Sequence, residues 1–392
     1  MCRRITVCVA LTALIAATFA AAPAQAEPGV GKDVITFGQI AALEGPAQAL
    51  GRGMRDGILA AFSEANRAGG VNGRKLELKS VDDGYEPENM IEAINKMVSD
   101  GVTFALVGAV GTPTAKAGQP IATAAKLPFI GPFTGAEFLR TPYNRYVVNV
   151  RASYFQETEA WIEHLTNDLG LRKIAILYQD DTFGMAGVEG VKRALDKRHL
   201  PLTASGSFKR NTVAVKTALL DIMKARPEAV VTVAPYKPVA EFVKLARQVK
   251  LDATFVAISF VGSEALAAEL ADRGTGVVVS QVVPLPWDTS LPVVAAYQAA
   301  LKAASPDSKP GFVSLEGYLV GRLVVDALKR IPGEPTREAL LDAVSGGTFD
   351  FGGVKLRFAK DSNQGSNDVY FTVLQPDGSF RAVKQLAKPV LH

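Results

Sequence analysis

Hydroxyl groups in two loops are the residues best placed for chemistry in this sequence. Thr112 and Thr114 lie in the loop after a predicted strand that ends at Val107, and Thr134 lies in the loop after the next strand. Near the carboxyl ends of parallel strands, helix N-termini direct unpaired N–H groups and a positive dipole at a ligand. A carboxylate there would accept hydrogen bonds from amides and hydroxyls. The alternative is that the threonines only cap helices, because Thr112 precedes Pro113 and a glutamate follows Thr134 at the capping-box spacing.

A second pair of loops offers aromatic rings for the apolar part of a ligand. Asp181 and Phe183 follow a predicted strand that ends at Tyr178, and Tyr236 follows a strand that ends at Val233. Strand ends open to the surface, so these rings are not expected in the deep core. We therefore expect Phe183 and Tyr236 to clamp the apolar part of a ligand.

Catalytic signatures are missing from the sequence. The three histidines, His164, His199 and His392, have no metal-binding spacing, and both cysteines lie in the first ten residues. No G-x-S-x-G elbow, S-x-x-K pair or P-loop occurs. The glycines at 51, 53 and 57 resemble a dinucleotide fingerprint, but the spacing has one residue too many. We predict no catalytic residue, no metal site and no cofactor.

The composition is that of a globular protein. Of the 392 residues, 48% are hydrophobic and 21% are charged, which excludes a disordered or fibrous chain. The 43 lysines and arginines nearly balance the 39 acidic residues, and no segment concentrates positive charge. Nucleic acid is therefore not an expected partner. The length predicts two domains.

The N-terminus has the pattern of a secretion signal. Arg3 and Arg4 precede an apolar stretch at 5–22, and residues 24–26 (Ala-Gln-Ala) match the small-x-small cleavage pattern. The alternative is a membrane anchor, but the stretch lacks bulky residues near its end and stops at a processing site. We predict cleavage after Ala26 and a soluble mature protein in the periplasm.

Strands and helices alternate through the rest of the chain in two series. The first ends with a strand at 147–150, and the second begins with a helix at 156–169. Such alternation predicts parallel sheets built by right-handed crossovers. The predicted fold class is α/β, with two doubly wound parallel-sheet lobes joined by three crossovers. The predicted segments are a signal peptide at 1–26, an N-terminal lobe at 27–150 plus 284–358, and a C-terminal lobe at 151–283 plus 359–392.

Several blocks resemble one protein family. They include residues 35–38, 181–184 and 235–236, and the most specific is Gly-Gly-Val-Asn-Gly-Arg-Lys-Leu at 69–76. These blocks, in their order along the chain, resemble those of type I periplasmic solute-binding proteins. The resemblance is greatest to the leucine/isoleucine/valine-binding branch that serves ABC importers. The resemblance implies two lobes that close on a solute, and no catalytic activity. It also implies a monomer that presents a small-molecule solute to an ABC permease in the inner membrane.

The resemblance further implies a ligand site. In the family, groups after the third and fourth strands hold the ligand's α-carboxylate, and aromatic rings cover the ligand. Leu50 stands where a ring is common, and Ser259-Phe260 stands where amino-acid binders usually have an acidic residue. The predicted ligand-binding residues are Leu50, Thr112, Thr114, Phe133, Thr134, Asp181, Phe183, Tyr236, Ser259 and Phe260.

The missing acid at Ser259 leaves the ligand class open. A buried ammonium group without a carboxylate is costly. Either Asp181, Glu264 or Glu316 takes that role, or the ligand is not an α-amino acid. Amides and aromatic or aliphatic carboxylic acids are then candidates as well.

The predicted function is solute capture for an ABC importer, by hinge closure on an amino acid or a related small carboxylate or amide. One alternative is a receptor of the same fold that senses a ligand and signals to a membrane partner. A secreted α/β enzyme is the other.

We predict that the exported protein begins at Glu27, which N-terminal sequencing of the secreted material would show. An Ala26→Phe variant should accumulate as precursor, because the residue before the cleaved bond must be small. Exported protein that retains Met1 would contradict the prediction.

Overall fold

The computed structural model describes residues 27–387. The predicted signal peptide, residues 1–26, lies outside the described residues. Within residues 27–387, no helix combines the length and hydrophobicity needed to cross a membrane.

Five parallel strands form the first sheet. They are β1 (Val34–Ala41), β2 (Lys75–Asp82), β3 (Leu106–Val107), β4 (Phe129–Ile130) and β5 (Val147–Val148). Their spatial order is β2-β1-β3-β4-β5. The alternating helices are α1 (Gln48–Arg67), α2 (Pro87–Asp100) and α3 (Thr112–Ala124). β1 is buried along almost its whole length, as its apolar sequence requires of a strand covered on both faces.

The second sheet repeats this arrangement. Its parallel strands are β6 (Ile174–Gln179), β7 (Ala204–Phe208), β8 (Ala229–Val233), β9 (Thr254–Ala257) and β10 (Val278–Gln281). Its helices are α4 (Tyr154–Asn167), α5 (Thr182–Asp196), α6 (Lys216–Lys224), α7 (Tyr236–Gln248) and α8 (Ser263–Leu270). The order β7-β6-β8-β9-β10 matches that of the first sheet. Each sheet thus has a switch point, between β1 and β3 or between β6 and β8, where open α/β sheets bind ligands.

The C-terminal third returns to both lobes. Its elements are α9 (Pro292–Ala304), α10 (Phe312–Lys329), α11 (Arg337–Val344), β11 (Thr348–Asp350), β12 (Lys355–Arg357), β13 (Tyr370–Leu374) and β14 (Phe380–Val383). α9 and α10 pack against α1, and β11 and β12 form a hairpin. β13 and β14 extend the second sheet beyond β10.

The prediction of a two-lobed α/β fold is confirmed, but the second sheet is not wholly parallel. β13 pairs antiparallel with β10, and β14 pairs antiparallel with β13. The turn Pro376-Asp377-Gly378, with φ +80° at Gly378, joins the last two strands directly. A tight turn between neighbouring strands forces antiparallel pairing. The lobe boundaries after residues 150, 283 and 358 stay predictions.

Two glycines let α10 approach α1 backbone to backbone. A Cβ on Gly57 would lie 2.0 Å from the carbonyl oxygen of Ser314, and one on Gly317 would lie 2.4 Å from that of Met54. A side chain at either position would force the helices apart. The contact fixes α10, which carries the buried Glu316.

A capping box fixes the chain where it first passes between the sheets. Gln156 N donates to Ser153 Oγ at 3.3 Å, and Ser153 N donates to Gln156 Oε1 at 2.7 Å. Tyr154 N donates to the carbonyl oxygen of Gly135 at 2.7 Å, which ties the start of α4 to the first lobe. Arg151 is thereby held between the lobes.

Candidate ligand-binding cleft

Aromatic rings from both lobes meet in the cleft. Phe260, in the loop after β9, has its ring centroid 5.2 Å from that of Phe133 and 4.6 Å from that of Phe183. The ring centroid of Tyr85 lies 6.0 Å from that of Phe260. All four are at most 1% exposed. Phe133 and Tyr85 follow strands of the first sheet, whereas Phe183 and Phe260 follow strands of the second, so the lobes are closed on an apolar surface.

Three hydroxyl groups gather beside these rings. Thr112 Oγ1 lies 2.6 Å from Thr134 Oγ1 and 3.5 Å from the Tyr154 hydroxyl. Thr112 begins α3 after β3, and Thr134 follows β4, so the neighbouring strands bring the two side chains together. Thr134 Oγ1 also accepts a hydrogen bond from Ala136 N at 3.3 Å. The cluster can donate to a carboxylate or a carbonyl oxygen.

The hydroxyl of Thr114 donates to backbone carbonyl oxygens at the start of its own helix. It donates to the carbonyl oxygens of Val110 at 2.9 Å and Gly111 at 3.2 Å. This is the geometry of a residue that stabilises the first turn of a helix. Thr114 therefore provides a control for the other two threonines.

Arg151 lies at the centre of the site. Its Nη2 donates to Ser259 Oγ and lies 3.4 Å from Glu157 Oε1. Glu157 accepts hydrogen bonds from Ser259 N at 3.0 Å, Ser259 Oγ at 2.8 Å and Ser280 Oγ at 2.5 Å. The guanidinium also lies over the ring of Phe133, 4.9 Å from its centroid. Glu157 of α4 thus places a carboxylate against Ser259, where it compensates the charge of Arg151.

Glu316 approaches the same guanidinium from α10. Its Oε1 lies 3.5 Å from Arg151 Nη1. Burial raises the pKa of Glu316 to about 7, although Arg151 opposes this rise. Burial would lower the pKa of Arg151, but the carboxylates of Glu316 and Glu157 raise it, so the guanidinium stays charged. Among residues 27–387, Arg151 Nε, Arg151 Nη1 and Glu316 Oε1 have no hydrogen-bond partner.

A second polar cluster bridges the two lobes. Arg210 Nη2 lies 2.6 Å from Glu86 Oε2, and Arg210 Nη1 lies 3.0 Å from Asp181 Oδ2. Gln179 Nε2 donates to Asp181 Oδ2 at 2.7 Å and to the Tyr85 hydroxyl at 3.3 Å. Asp181 also caps the start of α5. Its carboxylate is therefore already occupied by partners from its own lobe.

Leu50, Tyr236 and Glu264 make a separate set of contacts. A Cβ on Gly262 would lie 2.6 Å from Leu50 Cδ2 and 3.7 Å from Tyr236 Cδ1, so these side chains surround the loop after β9. Glu264 Oε1 accepts a hydrogen bond from Phe312 N at 2.9 Å. Burial raises the pKa of Glu264 to about 7. Of the three acids considered as substitutes at Ser259, Glu316 is the one that lies beside Arg151.

The histidines of the described chain lie in structural positions. His164 Nδ1 lies 2.7 Å from Asp168 Oδ2 within one turn of α4, and its ring packs on Phe371. His199 has φ +53° in the turn after α5. No group of three His, Cys, Asp or Glu side chains within residues 27–387 could hold a metal ion.

Sequence reasoning missed Arg151, Glu157 and Tyr154. They lie within seven residues, Arg-Ala-Ser-Tyr-Phe-Gln-Glu, between a buried strand and a capped helix. A charged residue directly after a buried strand is unusual, because the chain there leaves the core. The position of Arg151 could therefore have been noticed in the sequence, but the residues that pair with it could not have been identified there.

The fold and cleft define a two-lobed binding protein, and comparison with known proteins identifies its family. The family model for periplasmic binding proteins matches residues 34–379. The chain therefore belongs to the periplasmic binding protein family. Members of this family are solute-binding proteins rather than enzymes.

Individual relatives support this assignment. The chain shares 36% identity and a TM-score of 0.86 with a possible leucine/isoleucine/valine-binding protein from Rhodopirellula baltica, over 92% of this chain and 98% of that one. It is 24% identical to the leucine-, isoleucine-, valine-, threonine-, and alanine-binding protein of Pseudomonas aeruginosa, over 81% of this chain and 84% of that protein. A 28% identical match to Leu/Ile/Val-binding protein homolog 3 of Brucella melitensis covers 42% of this chain and 44%, less than half, of that protein.

We predict that Thr112→Val and Thr134→Val weaken ligand binding, because each removes a buried hydroxyl that can bond an anionic group. Such a bond contributes about 1.5–3 kcal/mol. Thr114→Val is the matched control, since its hydroxyl bonds only helix-start carbonyls in the described structure. Calorimetry and melting curves together check this. Normal binding by both variants with a lowered Tm would show that these residues only cap helices.

We also predict that Glu316 makes the ligand-free protein less stable as the pH rises. Its folded pKa is about 7, above the ordinary 4.5, so the folded state holds a proton that the unfolded state loses. The free energy of unfolding should fall by about 3 kcal/mol between pH 4.5 and 7 through this group. Glu316→Gln should lack this component in denaturant unfolding. Identical pH profiles for the variant and the wild type would contradict the prediction.

Proposed function

We propose that this chain is the extracytoplasmic solute-binding component of an ABC importer, exported to the periplasm by a cleaved signal peptide. Its family membership and the names of its relatives support this proposal. The observation that carries it is the cleft, where rings, hydroxyls and a charge cluster from both lobes converge on one buried site. Its proposed partners are a small solute and an inner-membrane permease, and it acts as a monomer.

The groups in the cleft suit an amino acid or a related small carboxylate or amide. The hydroxyls of Thr112 and Thr134 can donate to a carboxylate or carbonyl oxygen. The rings of Phe133, Phe183 and Phe260 can cover an apolar body. A few convergent polar groups within an apolar lining are typical of small-molecule sites.

Capture by hinge closure follows from the division of the site between the lobes. A solute that touches Thr112 on one lobe and Phe183 on the other favours the closed arrangement by its differential affinity for the two states. The proposed hinges are the two crossovers near Val150 and Val283. The sheets move as rigid bodies in this mechanism.

A thermal-shift screen of the mature protein tests the binding function. The panel contains amino acids, amides and small carboxylates, and a ligand at 100 times its Kd should add about 2.7 kcal/mol of stability. For the transport role, the loaded protein should stimulate ATP hydrolysis by its permease complex in proteoliposomes. No ligand-dependent shift across the panel would contradict solute binding, and no stimulation would contradict the importer role.

We predict that ligand binding closes the lobes and so lowers the radius of gyration measured by small-angle scattering. The variant Arg210→Ala should make the closed state less favourable. The variant loses the bridge from Glu86 to Asp181. Because partly exposed ion pairs contribute about 0.2–1 kcal/mol, affinity should fall by up to about fivefold. Lys197→Ala is the control, since its pairing with Glu159 lies within one lobe. A scattering profile unchanged by saturating ligand would rule out hinge closure.

Trp287 provides an optical readout of the same motion. Its ring lies 5.6 Å from that of Phe312 in α10 and 6.4 Å from that of Phe380 in β14. These contacts join elements of different lobes, so closure should shift the emission of this half-exposed tryptophan. Trp287→Phe leaves the buried Trp161 and should abolish the shift. A shift that survives in the variant would assign the signal to Trp161.

A further inference from the structure

We propose that Arg151 binds the carboxylate of the ligand, and that the site selects an apolar organic monocarboxylate without an α-ammonium group. The inference rests on the proposed solute-binding function and names the solute class. It assigns Arg151, which the sequence analysis did not single out, as the residue that determines specificity.

The guanidinium of Arg151 has donors without acceptors. Arg151 is 1% exposed, so water does not reach its nitrogens. Nη2 is engaged by Ser259 and Glu157, whereas Nε and Nη1 have no hydrogen-bond partner within residues 27–387. Buried donors without acceptors are rare in native proteins and destabilise them. An acceptor supplied by the ligand would satisfy these donors.

The neighbouring acids do not fill this role. Both oxygens of Glu157 accept hydrogen bonds from Ser259, and one also accepts from Ser280. Glu316 Oε1 lies 3.5 Å from Nη1 and forms no hydrogen bond. The ring of Phe133 covers the guanidinium but cannot accept as a carboxylate does. A ligand carboxylate would make charge-assisted bonds of the kind that arginine favours.

The charge around the site also bears on the ligand class. An α-ammonium group on the same end of the ligand as the bound carboxylate would need an acid beside Arg151. Among residues 27–387, Asp83, Glu137 and Glu316 each have a buried carboxylate oxygen without a hydrogen-bond partner, and Glu316 is the one of these that pairs with the Arg151 guanidinium. The ammonium would therefore lie against a like charge in a buried setting. The buried Arg140 donates to the carbonyl oxygen of Arg151 at 3.1 Å and adds a second positive charge. Burial and the charge of Arg151 lower the pKa of Arg140 to about 10.

The lining beside the arginine offers further donors. The guanidinium carbon of Arg151 lies 6.0 Å from the Tyr154 ring centroid, and the hydroxyl of that ring lies 3.5 Å from Thr112 Oγ1. These two hydroxyls can donate to the carboxylate from the first-lobe side. Phe133, Phe183 and Phe260 then face the rest of the ligand. Aliphatic or aromatic bodies suit this lining, and a second charged group does not.

Matched ligands test the proposal on the unaltered mature protein. One series is 4-methylpentanoate, 4-methylpentanamide and L-leucine, and the other is 3-phenylpropanoate, 3-phenylpropanamide and L-phenylalanine. Each series keeps the body and changes only the polar end. By calorimetry, the carboxylate should bind at least tenfold more tightly than the amide and the amino acid of its series.

Variants test the role of Arg151 itself. Arg151→Gln should weaken carboxylate binding about 10- to 150-fold, the range for a charge-assisted hydrogen bond. Amide binding should change less than about threefold. Arg145→Gln is the control, because Arg145 pairs with Glu338 and Asp342 on the surface. Should Arg151→Gln fail to fold, because Glu157 loses its counter-charge, the double variant Arg151→Gln/Glu157→Gln restores the balance and carries the same expectation.

The outcomes separate this proposal from the function on which it rests. A carboxylate preference that disappears in Arg151→Gln supports it. Tighter binding of L-leucine or L-phenylalanine, or carboxylate binding that survives the loss of Arg151, overturns it while solute binding stands. Binding of none of the six compounds, when the wider panel yields another ligand, also overturns it. Only the absence of any ligand across the panel contradicts solute binding.

Discussion

The rest of the cleft depends on one guanidinium group that is buried between the two lobes and needs neighbouring groups to compensate its charge. Arg151 cannot remain charged away from water unless carboxylates compensate it, and Glu157 and Glu316 do so from α4 and α10. Glu157 is held in turn by Ser259 and Ser280, at the ends of adjacent strands. The charge cluster therefore links the first crossover, two helices and the second sheet, and breaking one member leaves the others buried without a partner.

The repeated strand order explains why the remaining groups converge. Both sheets run in the order 2-1-3-4-5, so each has its switch point at the corresponding place. The loops after β3 and β4 bring Thr112 and Thr134 together, and the loops after β6 and β9 bring Phe183 and Phe260 together. Because the carboxyl ends of the strands face one cleft, loops of the first sheet contribute the two threonine hydroxyls and loops of both sheets contribute the rings.

The parts of this arrangement that depend on local pattern could be predicted from the sequence. The α/β alternation, α9 at 292–304 and α10 at 312–329 follow from apolar periodicity and strong helix signals. The predicted end of β3 at Val107 is correct, but the strand is only Leu106–Val107, because pairing beside β1 and β4 and not propensity sets its length. The pairing of Arg151 with Glu316 spans 165 positions, and no local rule relates such residues. Tyr85 was missed for a different reason: its φ of +63° is a conformation that tyrosine seldom adopts.

The contact between α1 and α10 has a consequence for how the protein folds as it is made. α1 begins at residue 48, yet the helix that covers it backbone to backbone ends at residue 329, after the whole parallel part of the second sheet. The face of α1 that α10 covers therefore stays exposed until most of the chain has left the ribosome. Long-range contacts of this kind form slowly. An N-terminal lobe that cannot finish folding early suits the export proposed for this chain, because an incompletely folded chain can pass through a narrow channel, and the lobe is complete only when the C-terminal third arrives.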